Sequence, residues 1–297
     1  MKYIIKKLLT LILTLFFISV LVFLIFQVIP GDPALSILGT EATEEQVEAL
    51  REQLGLNDSM PERYFNWFTG VLTGDLGRSY RYQESLNEQM EVSRLIAGKL
   101  PVTLTLAGLS LLLIIMFSIP IGILWGGTKS RFIDGALNVL SQFTMSVPSF
   151  FLGIIIIYLF GLIMRWFTPG GYISYKEDFR GYIRYMLFPA ITVALPKAAM
   201  TAKFLRNSII TQLKSDYVRT AYSKGARRMR VLFVHVLRNA MIPVVTFIGV
   251  IAAEIAAGSI VVEQVFGLPG IGRLLVSSIS TRDYPVVQAL MLYIVFA

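Results

Sequence analysis

The chain has no cysteine, and among its 297 residues it has one histidine, His235. Without thiols there is no disulfide framework and no indication of redox compartment. With a single imidazole, a metal centre of the usual His/Cys kind cannot be assembled. There is no His-Glu-x-x-His helix and no pair of catalytic carboxylates inside the apolar runs, so a membrane-embedded enzyme lacks its machinery. Charge is also scarce, at 15% of residues against about a quarter in ordinary soluble domains. The stretch "GILWGGTKS", from Gly122, approaches a phosphate-binding loop. Thr128 stands where that loop requires lysine, so no nucleotide site is expected.

What the chain has in place of charge is apolar length. Hydrophobic residues make up 55% of it, and its mean hydropathy is +0.66. Three charge-free runs stand out: Leu8–Gly31 with 24 residues, Leu100–Thr128 with 29 and Gly135–Met164 with 30. A bilayer core needs about 20 helical residues, so each run can span. The first follows Lys2, Lys6 and Lys7, as a secretory signal would, but it is longer than a signal core and ends without a small-residue cleavage site. It is read as a retained helix. Further spans are expected at Tyr185–Leu205, at Asn239–Val262 and from Pro285 onward. The last leaves only 12 residues, about 18 Å of helix, so the sixth span is expected to be truncated and the natural chain to continue.

Charge is sorted by segment. Between Pro30 and Lys99 there are 12 acidic and 6 basic residues, whereas Thr201–Arg238 holds 9 basic and 1 acidic. This pattern argues against nucleic acid and for insertion across a membrane, since short cytoplasmic loops accumulate Lys and Arg. A cytoplasmic N-terminus places 14 Lys/Arg in the inside segments and 6 in the short outside loops. The expected fold is all-α: a polytopic transmembrane helical bundle of six spans with an extracytoplasmic loop region of short helices. Its parts are an N-terminal transmembrane helix at 1–29, the loop region at 30–99, and a transmembrane core at 100–297 with a cytoplasmic loop at 206–238.

In the acidic segment, "TEEQVEALREQLGL" opens with a capping box, Thr43 with Gln46, and meets a stop at Gly55. "PERYFNWFTGVL" reads as a second short helix. Its Tyr64, Trp67 and Phe68 suit either a lid on the membrane surface or a ligand site. In the basic segment, Ser215 or Asp216 can cap a short helix with Tyr217, Val218, Ala221 and Tyr222 on one stripe and Gly225 at its end. Such a helix, flanked by Lys224 and several arginines, can lie on anionic lipid or dock in the groove of a cytosolic partner. Two charges fall inside expected spans, Lys197 and Glu254. They are candidates for lining a passage or for pairing with another subunit. Counted from the expected span ends they sit at different depths, about 12 and 22 Å, so no direct salt bridge between them is expected. Gly122 with Gly126, and Ala252 with Ala256, mark close helix approach. Pro120, Pro148, Pro196 and Pro243 interrupt or bound helices.

Four stretches carry more than composition: "DYVRTAYSKG" (216–225), "HVLRNAMIPVV" (235–245), "VVEQVFGLPGIGRLL" (261–275) and "RDYPVVQ" (282–288). With "PGDP" (30–33) and "LREQLGL" (50–56), the chain resembles the B-type permease subunits of peptide/nickel-type ABC importers over nearly its whole length. The resemblance implies that Asp216–Gly225 is the segment that couples to an ATPase subunit. It implies family-motif structural roles for His235, Arg238, Asn239, Pro243, Glu263, Pro269, Gly270, Gly272, Arg282, Asp283, Tyr284 and Pro285. It also implies a second homologous permease, two ATPase subunits that use ATP and Mg, an extracytoplasmic substrate-binding protein, and residence in a prokaryotic cell membrane. No cofactor, metal or catalytic residue is expected on this chain. The substrate is expected to be a short peptide, with a nickel or metal chelate as the alternative because Glu254 departs from the family pattern. A self-sufficient channel or ion-coupled transporter is the reading from another class, disfavoured by the absence of an internal repeat or proton relay.

Overall fold

The computed structural model describes residues 2–28, 32–39, 42–85, 88–257 and 260–296. They form two compact units: Met1–Pro101 with Pro269–Ala297, and Val102–Leu268. Each is built mainly from helices, as the apolar runs require. Among the described residues, four helices are long and apolar enough to cross a membrane, and up to six spans result if each of two bent helix pairs counts as one.

In the first unit, α1 (Lys2–Val28) is followed by α2 (Pro33–Leu38), α3 (Glu44–Gln53) and α4 (Met60–Thr73). Asp32 caps α2 by accepting from the Ala34 amide, and its other oxygen takes Nε and Nη2 of Arg51 on α3 at 2.8 and 2.5 Å. Two of the quoted motifs, "PGDP" and "LREQLGL", are therefore held together by one carboxylate; Pro30 and Gly31 lie outside the described residues. The capping box of α3 is present in both directions, Gln46 N to Thr43 Oγ1 and Thr43 N to Gln46 Oε1, and Gly55 takes a left-handed φ of 64° beyond its end. The aromatic side chains of α4 pack on α1: Tyr64 meets Phe23 edge-on and bonds Ser19, and Phe68 meets Phe16.

A β-hairpin follows, β1 (Arg78–Ser85) with β2 (Glu88–Glu91), antiparallel and irregular in register. No strand was expected in this segment. The hairpin leads directly into α5 (Val92–Gly127), inside which the division between the units falls.

In the second unit, α6 (Arg131–Ser146) and α7 (Ser149–Ile156) with a π-helical turn at Ile157–Ile163 occupy the third apolar run. The run is bent by 93° rather than straight, because Pro148 has no amide hydrogen to continue α6 and biases Val147 to extended geometry. Pro196 lies inside the long α8 (Phe179–Leu213) without breaking it. Next come α9 (Asp216–Ser223), α10 (Arg228–Arg230), a second π-turn at Val231–Val236, α11 (Leu237–Ala257) with Pro243 inside it, and α12 (Ile260–Phe266). Gly122 and Gly126 sit where α5 meets α8: a Cβ at either would lie 2.9 Å from Leu205 or Ile209 side-chain carbons. That is the close approach their spacing implies. Trp125 Nε1 and the Arg206 guanidinium both donate to Asp134 Oδ1, tying α5, α6 and α8 by a cluster that sequence reading missed.

The segment expected as an outside loop at 263–284 is mostly helical. It includes the end of α12 and, in the first unit, α13 (Ile271–Ser280), followed by α14 (Tyr284–Phe296), which packs on α1.

Candidate coupling helix and polar cavity

The short basic-segment helix forms where expected. Ser215 occupies its N-cap position, with no side-chain cap bond, and Gly225 ends it at φ 78°. The Gly225 amide donates to the Tyr222 carbonyl and the Ala226 amide to that of Ala221. These are the two bonds of a Schellman closure, which needs a residue tolerant of positive φ at Gly225.

The stripe of α9 points differently from the groove-docking expectation. Val218 is buried in this chain's own cluster with Leu205, Ile209, Val231, Val236 and Ala240, while Tyr217 and Ala221 pack at its edge. Tyr217 is further fixed by donating its hydroxyl to Gln212 Oε1 at 2.8 Å. The apolar side thus fastens α9 to the bundle. The side turned outward carries Asp216, Arg219, Tyr222 and Lys224, with Gly225 beside them, all exposed. Asp216 and Arg219 form a loose pair at 3.6 Å. Arg228 donates to the Gly127 carbonyl at the end of α5, which ties the loop after α9 to that earlier span.

Lys197 and Glu254 do meet. Lys197 Nζ on α8 lies 2.7 Å from Glu254 Oε1 on α11, against the expectation of no direct bridge. The expected span ends were misplaced: α8 runs on to Leu213, past the expected end at Leu205, and the helix carrying Glu254 is continuous from Arg228 through the π-turn. Lys197 and Glu254 line a cavity of about 540 Å³ whose other walls include Met145, Ser149, Val193 and Met200. Among the described residues lining it they are the only charged ones. Glu254 overhangs the space with its side chain 66% exposed, and Lys197 is 22% exposed.

The family-motif residues fall into structural positions. His235 lies in the π-turn and its carbonyl accepts from Asn239 Nδ2; Arg238 is exposed on the first turn of α11. Glu263 is fully buried on α12 and accepts the Thr103 hydroxyl at 2.7 Å. In the first unit, Pro269 precedes Gly270, the N-cap position of α13, and Gly272 is buried in that helix's first turn. Arg282 adopts φ 57°, closing α13 as glycine would. Asp283 is completely buried: it accepts the Ser79 hydroxyl on one oxygen and the Tyr80 amide on the other, and so holds the hairpin to the turn before α14. Burial pushes its carboxyl above the usual range, against the donated hydrogen bonds that pull it down. Tyr284 is buried and Pro285 half-buried at the start of α14. The hairpin's signal was present only as Ser79 and Asp283, some 200 residues apart.

Among the described residues no cluster of three or more His, Asp or Glu could hold a metal. A multi-pass helical body with a short exposed helix fastened between two spans and a charged cavity between the same two spans defines a membrane transport permease. The chain belongs to the family of binding-protein-dependent transport system inner membrane components: residues 118–297 match that family and residues 1–107 match its N-terminal companion. It is therefore a permease subunit of an ABC importer, a part that is not itself catalytic. Among its relatives are a probable peptide ABC transporter permease of Sinorhizobium fredii, 35% identical over 98% of this chain and 91% of the relative. A putative peptide transport permease of Brucella abortus is 38% identical over 94% and 87%. The glutathione transport system permease of Escherichia coli K12 is 38% identical over 97% and 90%.

Proposed function

We propose that this chain forms half of the translocation pathway of an importer for short peptides, driven by ATPase subunits that grip α9 from the cytoplasm. The observation that carries the reading is the division of labour on α9. Its apolar side is spent on the chain's own core, and a polar face closed by Gly225 is left exposed immediately after α8. Peptide is the favoured substrate because the relatives are named for peptides and glutathione, itself a tripeptide. A chelated metal is disfavoured because the one carboxylate over the cavity, Glu254, is already neutralised by Lys197.

In this reading a second homologous permease completes the passage, two ATPases bind ATP and Mg, and an extracytoplasmic binding protein delivers substrate to the outer side. The N-terminus, α9 and the arginines around it face the cytoplasm. ATP closes the ATPases, their movement displaces α9, and the spans rock between two states. This is a rigid-body switch biased by a ligand, with no covalent chemistry on this chain. Gly225→Asp strains the left-handed closure of α9 and places a carboxylate on its exposed face. It is expected to reduce ATP-driven peptide uptake by proteoliposomes at least tenfold while the protein remains in the membrane at normal levels. Uptake unchanged in that variant would rule out the coupling role.

A further inference from the structure

The cavity between α8 and α11 presents an ammonium and a carboxylate side by side in an otherwise mostly apolar wall. A short peptide with free ends carries the same two groups. We propose that the Lys197–Glu254 pair is the receiving point for both termini of a short peptide: the α-carboxylate takes Lys197, the α-ammonium takes Glu254, and the substrate enters by exchanging partners with the pair. This rests on the peptide-import reading above and adds to it a specificity-determining site on this chain.

Three observations support the exchange. First, the site is neutral as a unit. An unpaired charge in an apolar wall is costly, and a peptide that supplies one charge of each sign leaves none unpaired. Second, the pair is unsaturated and reachable. A carboxylate has two acceptor oxygens and an ammonium three donors, yet a single 2.7 Å contact joins them, and Glu254 overhangs the opening. Third, the space fits. Its volume of about 540 Å³ is of the size that holds small ligands, roughly 300–1,000 Å³. Met145 and Met200 on its walls are adaptable side chains suited to ligands of varied shape.

Reach sets the length preference. Two extended residues span about 7 Å and each further residue adds about 3.5 Å. The flexible stems of Lys197 and Glu254 can part by a few ångströms, so the shortest peptides engage both groups. Longer ones reach only one.

The test is competition for labelled dialanine on the purified complex of this chain with its partner permease and ATPases, without the binding protein, so that the latter's own preference does not enter. N-acetyl-dialanine and dialanine amide are the competitors. A charge-assisted hydrogen bond corresponds to about a tenfold difference in affinity. In the wild type each blocked peptide should compete about tenfold more weakly than dialanine. Glu254→Gln should erase the difference for the acetylated peptide and Lys197→Met that for the amide, while Lys197→Arg and Glu254→Asp keep both. Absence of dialanine binding overturns the proposal, as does discrimination that survives the neutral variants. Equal loss of all three ligands makes the pair a clamp between α8 and α11, which overturns it as well. In each of these cases receptor-driven peptide uptake by wild-type proteoliposomes still decides the import reading separately.

Discussion

Asp283 and Glu254 are both acidic residues in a chain with little charge, and the structure treats them in opposite ways. Asp283 is fully enclosed, and its partners are neutral donors from a hairpin about 200 residues away in sequence. Glu254 is mostly open, and it has one cationic partner across a cavity. A carboxylate wrapped in fixed donors has no capacity left for a ligand, so its effect is to hold parts together. A carboxylate with one partner across an open cavity has acceptor capacity left, as the proposed exchange requires. Enclosure therefore separates fasteners from working groups better than residue type does.

The contrast is broken most directly at Asp283. Asp283→Ala leaves the Ser79 hydroxyl and the Tyr80 amide without their acceptor and should cost about 3 kcal/mol of stability. The expected result is a lower melting temperature and faster proteolysis of the 78–91 segment. Asp283→Asn should cost less, since one acceptor oxygen remains. The two also differ in pH dependence. Because burial raises the Asp283 pKa, the folded state favours the neutral acid. Its contribution is complete below the unfolded value of about 3.9 and declines as pH rises through the folded value. Melting curves above about pH 4 should therefore slope downward less in the Asn variant than in the wild type.

At the other pole, the double variant Lys197→Met with Glu254→Gln should change melting by less than about 1 kcal/mol, as for other accessible ion pairs. A large loss there would make the pair a fastener like Asp283 and erase the distinction. The smallest effect is expected next to Asp283. Arg282 holds a left-handed conformation that costs a side-chain-bearing residue more than glycine. Arg282→Gly should thus raise stability by about 0.5 kcal/mol, measured by thermal unfolding in detergent.

The spans and the local signals were readable in the sequence because their causes are local. Thr43 and Gln46 close their capping box within one turn, Gly225 ends α9 where a positive φ is needed, and Gly122 with Gly126 admits α8. The hairpin was not readable, because "RSYRYQES" is polar, irregularly paired and anchored by Asp283 from the far end of the chain. The bend at Pro148 was hidden inside an uninterrupted apolar run. The Lys197–Glu254 contact was missed because both expected span ends were misplaced: α8 runs eight residues past Leu205, and the helix carrying Glu254 starts well before Asn239. The direction of the α9 stripe was ambiguous because an apolar face looks the same whether it meets its own chain or a partner.

One rod, α8, carries both halves of the proposed device. It is 35 residues long, about 52 Å, with Lys197 near its middle and α9 beginning three residues past its end. Pro196 removes one rung of its internal ladder immediately before Lys197. Pro189 removes another, so the rod is weakened at two points, one of them beside the cation that contacts Glu254. In the proposed coupling, a torque applied at the α9 end of the rod would flex it at these rungs, and flexing beside Lys197 would part the two charges.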